Sequence, residues 1–237
     1  MTEPHQVKPR QIIALGGGGD TVEQTGRLTD YVVRAAGVER PKVCFVPAAV
    51  GDASEDIAYF FETMWVGRGE LSVARFFPWP RPDLREHILA QDIVVVSGGN
   101  TANLLAIWRT HGFDATLREA WEAGVVLTGA SAGMICWFEA SITDSFGPQL
   151  EGLRDGLGFL AGSACPHYDG ETARRPRYHE LVAQGFPTGI AADDGVALHY
   201  VGSDLDAVVT CREGANAYRV GPDGEDPLEA RLLDGSA

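Results

Sequence analysis

The sequence predicts an α/β fold with a mostly parallel sheet and helices on both of its sides. Two observations carry this reading. From Gln11 to about residue 140, short apolar runs alternate with amphipathic stretches, the pattern of repeated strand–helix units. The run Ile93-Val94-Val95-Val96 is apolar at every position, as in a strand covered on both faces rather than one.

The elements follow in order. Ile12–Leu15 reads as a strand ended by Gly16-Gly17-Gly18-Gly19, followed by a helix over about Val22–Ala36. Lys42–Pro47 is a second strand, and Asp52–Gly67 a helix capped by Asp52 or Ser54. Leu71–Phe77 is a third strand that ends in the turn Pro78-Trp79-Pro80. A short helix over Asp83–Ala90, the strand Ile93–Ser97, and helices over Asn100–Thr110 and Ala115–Ala123 come next. Val125–Thr128 is the strand before Gly129-Ala130-Ser131-Ala132-Gly133. After about residue 140 the pattern changes. Ser141–Arg154 is turn-rich, and Gly170–Arg177 reads as a charged loop or helix start. Gly195–Tyr200, Ala207–Cys211 and Ala217–Val220 alternate in polarity and predict an antiparallel meander. No linker or repeat interrupts the chain. The expectation is one domain over 11–225, flanked by a polar tail at 1–10 and a C-terminal tail at 226–237.

Composition narrows the function classes. The chain has 237 residues, enough for a well-buried core, and a formal net charge of −14. That charge argues against a general nucleic-acid binder, which needs basic surface to neutralise phosphates. No apolar run approaches membrane-spanning length, and Met1–Arg10 lacks the hydrophobic core of a signal peptide. The four cysteines (Cys44, Cys136, Cys165, Cys211) form no CxxC pair, and the six histidines show no ligand spacing. A cytoplasmic protein without metal or cofactor is expected.

The chemistry centres on Ser131. A serine between small residues at a strand-to-helix turn has the layout of a nucleophile elbow, which lifts the hydroxyl above the carboxyl end of the strand. The Ala132 N–H then faces any oxyanion formed in front of it. An ordinary Gly-rich turn looks the same in isolation, so the surrounding residues matter. Ser97-Gly98-Gly99-Asn100-Thr101 ends another strand, and one of its glycine amides, Gly99 N–H by preference, is a candidate second oxyanion donor, while Asn100 or Thr101 caps the next helix. Gly16–Gly19-Asp20 has neither GxGxxG spacing nor a Lys-Ser/Thr pair, and reads as a tight turn rather than a nucleotide loop. His167 follows a short apolar run and Pro166, and is the candidate general base. Asp144 and Asp194 are the candidates to orient it, and spacing does not choose between them. An ordinary α/β-hydrolase fits less well, because His167 follows Ser131 by only 36 residues.

Taken together, Ser97-Gly98-Gly99-Asn100-Thr101, Gly129-Ala130-Ser131-Ala132-Gly133, Cys165-Pro166-His167-Tyr168 and Asp193-Asp194-Gly195 resemble the peptidase E family, over roughly Gln11 to Val220. That family is related to cyanophycinase and, more remotely, to class I glutamine amidotransferases. The resemblance implies a flavodoxin-like three-layer α/β/α sandwich and a metal-independent serine exopeptidase. By motif, Ser131 is similar to the family nucleophile, His167 to its base, and Gly99 and Ala132 to its oxyanion amides. Asp144 matches a family aspartate assigned to the charge relay. Asp194 matches the acidic position that contacts the histidine in cyanophycinase-like relatives, and it is placed ahead because it would emerge at a sheet end opposite His167.

Asn100, Thr101, Arg174 and Arg175 are the substrate-binding candidates. One departure stands out. The family's Gly-Glu-Thr-Arg run is here Gly170-Glu171-Thr172-Ala173, with arginines displaced to Arg174, Arg175 and Arg177. A guanidinium fork is geometrically exacting, so strict cleavage after N-terminal aspartate is not implied.

The expected function is hydrolysis of short peptides, with a short peptide as partner and a homodimer allowed for. A cyanophycinase-like hydrolase of β-aspartyl-arginine units and a non-catalytic ligand-binding protein are the alternatives. An amidotransferase would need cysteine at the elbow, and Cys136 lies inside the following helix.

Overall fold

The computed structural model describes residues 8–234. The main sheet forms from the predicted βα units. It contains β1 (Gln11–Leu15), β2 (Lys42–Val46), β3 (Glu70–Val73), β4 (Ile93–Val96), β5 (Val126–Ala130), β10 (Val196–Val201), β11 (Asp204–Thr210) and β14 (Arg231–Leu232). Their order across the sheet is β14-β11-β10-β1-β5-β4-β2-β3. From β1 to β3 every neighbouring pair is parallel, whereas β10 and β11 add antiparallel strands beside β1.

The period-two alternation of side chains divides each strand between two cores. On one face Ile13, Val43, Phe45, Ile93 and Val126 pack under α1 (Val22–Ala35) and α2 (Ser54–Tyr59). On the other, Ile12, Ala14, Cys44, Val46, Val94 and Val96 meet α4 (Thr101–Thr110), α5 (Phe113–Glu122) and α6 (Ala132–Ile135). The short α3 (Leu84–Leu89) precedes β4 and packs against α5.

A second sheet was not expected. It has the order β13-β12-β9-β8-β6-β7, with β6 (Phe138–Thr143), β7 (Glu151–Leu153), β8 (Leu160–Cys165), β9 (Gly189–Ala192), β12 (Ala217–Gly221) and β13 (Gly224–Leu228). The turn-rich Ser141–Arg154 stretch is therefore largely an antiparallel hairpin of β6 and β7. The expected meander holds for β10 and β11 only. Strand β12 leaves for the second sheet, where it pairs with β9 and β13. Phe138, Leu160, Ala164 and Ile190 bury one face of this sheet in the same core as α4–α6. Tyr178 and Val182 of α7 (Arg174–Ala183) cover apolar side chains on the other.

Three local differences have clear causes. β3 stops at Val73 because the Phe76 and Phe77 N–H groups donate to the Asp52 carboxylate instead of to a ladder. Asp52 is thus spent on that turn, and the residue at the start of α2 is Ala53, without a side-chain cap. Beyond 225, most of β13 and all of β14 lie in the stretch read as a tail, and Lys8 and Arg10 of the N-terminal stretch pair with Asp92 and lie over Trp121. Residues 1–7 and 235–237 of those expected tails lie outside the described residues. Among the described residues no helix is long and apolar enough to cross a membrane.

The junction of β1 and β10 contains a titratable strut. His199 bridges the Tyr31 hydroxyl and the Gln11 side-chain carbonyl at 2.8 and 2.9 Å, and burial lowers its pKa from the ordinary 6.5. The unfolded chain then binds a proton that the folded one resists. Stability from this site is present above the unfolded pKa and falls as pH drops below about 6.5. Urea midpoints at about pH 5 and pH 8 should differ less in His199→Gln than in the parent. An equal difference in both proteins would remove His199 from the account.

Candidate active site

Ser131 stands where β5 hands over to α6, with φ 57° and ψ −114°. That conformation is costly for a residue with a Cβ and is held by close packing on both sides. A Cβ on Gly129 or Gly133 would run into the Val96 carbonyl of the neighbouring strand. The small residues around the serine are thus required by the approach of β4, as the elbow pattern predicts. Ser131 is half-buried, and its hydroxyl makes no hydrogen bond among the described residues.

The carboxyl ends of β4 and β1 flank this turn. On the β4 side, Gly98 lies beside Ser131; a Cβ there would sit 3.5 Å from that of the serine. Gly99 has φ 123°, and its added Cβ would collide with the Ala49 backbone. Neither the Gly99 nor the Ala132 N–H has an acceptor among the described residues. On the β1 side, the Gly16 carbonyl accepts the His167 N–H at 3.0 Å, and the Gly17 carbonyl accepts that of Gly195 at 3.3 Å. The four-glycine run is therefore the segment onto which the histidine and aspartate loops dock.

His167 follows β8, while Asp194 occupies the turn between β9 and β10. His167 Nδ1 and Asp194 Oδ1 are 2.6 Å apart, with side chains 23% and 28% exposed. A carboxylate only accepts, so Nδ1 carries the proton, and in the neutral ring this tautomer leaves the lone pair on Nε2. Asp144 is elsewhere: it is exposed in the turn after β6 and makes no side-chain hydrogen bond among the described residues. Of the two aspartates, Asp194 is the one in contact with His167.

Three residues that sequence reasoning passed over shape this pair. Arg212 Nη1 donates to Asp169 Oδ2 at 2.9 Å and to the Asp194 carbonyl at 2.7 Å, and Asp169 Oδ1 accepts the Asp194 N–H at 2.8 Å. Asp169 was visible beside His167 in the sequence, but Arg212 has no local signal. Gly17 is the third. A Cβ there would overlap Asp194 Oδ1 and lie 2.9 Å from His167 Nδ1. Gly17→Ala is expected to displace the pair and reduce peptide turnover by roughly 100-fold, without removing any reacting group. Turnover within a few-fold of the parent would show that the pair is not needed in this geometry.

The four substrate-binding candidates are engaged in the fold. Asn100 caps α4 through the Asn103 N–H at 2.9 Å and donates to the Ser145 carbonyl at 2.9 Å. Thr101 is only 1% exposed. The Arg174 side chain is 4% exposed, bidentate to Glu171, and donates to the Ile142 carbonyl. Arg174 is thus a strut between α7 and β6 rather than a reader of substrate. Arg175 is paired with Glu225 and lies over the rings of Tyr168 and Tyr218. Cys136 is fully buried, and burial pushes its thiol well above its ordinary pKa, so it is no alternative nucleophile.

Comparison with known proteins agrees with the fold and identifies the family. The sequence pattern of peptidase family S51 matches residues 12–208. The chain is 48% identical over 216 residues to the "uncharacterized peptidase YgaJ" of Bacillus subtilis (strain 168), covering 89% of this chain and 92% of that protein. Its fold is similar to the crystal structure of a peptidase from an acI-B1 Actinobacterium, with a TM-score of 0.65 and 18% identity over 94% of this chain and 96% of that one. It is also similar to a putative peptidase E protein from Listeria monocytogenes EGD-e, with a TM-score of 0.56 and 17% identity over 85% and 98% of the two chains. The chain belongs to peptidase family S51, a family of serine-type peptidases.

Proposed function

We propose that this peptidase is an exopeptidase of dipeptidase type that hydrolyses short peptides through an acyl-enzyme on Ser131. The observation that carries the reading is the 2.6 Å His167–Asp194 contact, built at the mouth of the same sheet end as the strained Ser131. In this reading Ser131 Oγ attacks the scissile carbonyl and its proton passes to His167 Nε2. Asp194 holds the ring and stabilises the imidazolium. The carbonyl oxygen becomes an oxyanion facing the Gly99 and Ala132 amides, each typically worth about 3–4 kcal/mol in such a hole. The C–N bond then breaks as Nε2 returns the proton to the leaving amine. Water repeats the sequence and frees Ser131. Ser131 Oγ and His167 Nε2 are not hydrogen-bonded among the described residues, and in this reading the contact tightens in the substrate complex.

A fluorophosphonate probe tests the nucleophile without any assumption about substrate. Labelling of the folded protein at Ser131, lost in His167→Ala, is the expected result. No labelling of the folded protein would favour a non-catalytic role. Product analysis with dipeptides, tripeptides and β-aspartyl-arginine polymer then separates a dipeptidase from a cyanophycinase-like enzyme.

A further inference from the structure

A cavity of about 230 Å³ opens beside the elbow, between the main sheet and the α1–α2 layer. Its body is apolar: Val32, Phe45, Phe60, Met64 and Trp65 contribute to the wall. Phe60–Met64 form a π-helical turn that continues α2, closed by the Trp65 N–H donating to the Phe60 carbonyl at 3.0 Å. Widened turns of this kind are uncommon and occur frequently at functional sites. Here the turn brings Phe60, Met64 and Trp65 to one chamber.

The cavity is placed to meet substrate. Gly98 and Ala130, which flank Ser131 in space and in sequence, form part of its lining. No residue of 166–171 or 193–195 does, and Gly17, which backs the His167–Asp194 contact, is the lining residue nearest that pair. The leaving amine must lie near His167 and the scissile carbonyl near Gly99 and Ala132. A chamber that reaches Gly98 and Ala130 beside Ser131, and approaches the His167 pair only through Gly17 on the Nδ1 side of the ring turned away from substrate, is placed for the residue that carries the attacked carbonyl. Its volume is below the roughly 300–1,000 Å³ of pockets that enclose drug-sized ligands, and suits one large side chain.

Its polar groups set the chemistry. Asp56 is the only charged residue of the lining, and its carboxylate has no hydrogen-bond or ion-pair partner among the described residues. An aspartyl or glutamyl side chain entering here would face like charge and lose its hydration without a cation to replace it. The buried Ser97 hydroxyl, also in the lining, lacks a partner among the described residues.

We propose that this cavity receives the side chain of the substrate residue whose carbonyl is attacked, and that it selects large apolar side chains over aspartate. The proposal rests on Ser131 being the nucleophile and adds the substrate class. It accounts for the enzyme working without the arginine of the Gly-Glu-Thr-Arg run, since Arg174 and Arg175 are both paired with carboxylates.

Titration calorimetry on inactive Ser131→Ala separates the pocket from the chemistry. Phe-Gly and Leu-Gly are expected to bind at least roughly tenfold more tightly than Gly-Gly or Asp-Gly. Adding Val95→Phe, which fills the chamber from β4, should shrink the Phe-Gly to Gly-Gly ratio below about threefold. Tyr59→Ala, at an exposed position of the lining where folding is not at risk, should shrink it in the same direction. Asp-Gly binding as tightly as Phe-Gly, or a ratio unmoved by both changes, would overturn the pocket. Selective Phe-Gly binding in a protein that never hydrolyses the peptide would instead overturn the Ser131 reading and leave the pocket standing.

Discussion

Replacing Ser131 by alanine is expected to lower kcat for dipeptide hydrolysis by on the order of 10⁴- to 10⁶-fold, the range seen when a triad nucleophile is removed. The fold should survive, because the hydroxyl makes no internal hydrogen bond among the described residues. Ser131→Gly sharpens the test. A residue held at φ 57° and ψ −114° stores about 1–3 kcal/mol of backbone strain. Glycine relieves this strain but gains about 0.4–1 kcal/mol of freedom in the unfolded chain. The net expectation is an inactive protein whose melting temperature rises by up to a few degrees. Retained hydrolysis in either variant, measured on protein purified free of host peptidases, would remove Ser131 from the mechanism. A lower melting temperature in Ser131→Gly would contradict the strain argument alone.

The second large effect separates two aspartates. Asp194→Asn replaces the acceptor at His167 Nδ1 with an amide and favours the wrong tautomer. A loss of about 10⁴-fold in kcat is expected, with KM little changed. Asp144→Asn, at an exposed turn, should stay within about twofold of the parent, as surface changes remote from reacting groups generally do. The reverse ranking in steady-state kinetics would mean that the histidine swings to another partner on binding substrate, and the 2.6 Å contact would lose its mechanistic meaning.

The two halves of the chain were unequally legible. The parallel strands from β1 to β5 are short and mostly apolar, and glycines stand at or just beyond the ends of β1, β4 and β5, so periodicity finds them and places Ser131 at a strand end. The second sheet was missed because β6, β8 and β9 combine apolar with small and polar residues, as in Phe-Glu-Ala-Ser-Ile-Thr, Leu-Ala-Gly-Ser-Ala-Cys and Gly-Ile-Ala-Ala. Local propensity is weak there, and pairing with neighbours supplies the strand conformation. The same limit applies to β12, whose alternation is clear but whose partners are remote in sequence.

Chain order and residue type alone determined the elbow, the Gly98-Gly99 loop and His167 as a set, because each depends on a local turn with its own residue requirement. Tertiary structure put Asp194 rather than Asp144 against His167, showed Arg174 buried against Glu171, and gathered Gly17, Asp169 and Arg212 around the His167–Asp194 pair. It also built the apolar chamber from α1, α2, β2 and β4. The reason is the same in each case. A hydrogen bond or a cavity wall depends on distance between segments far apart in the chain, and that distance is set only when the two sheets pack.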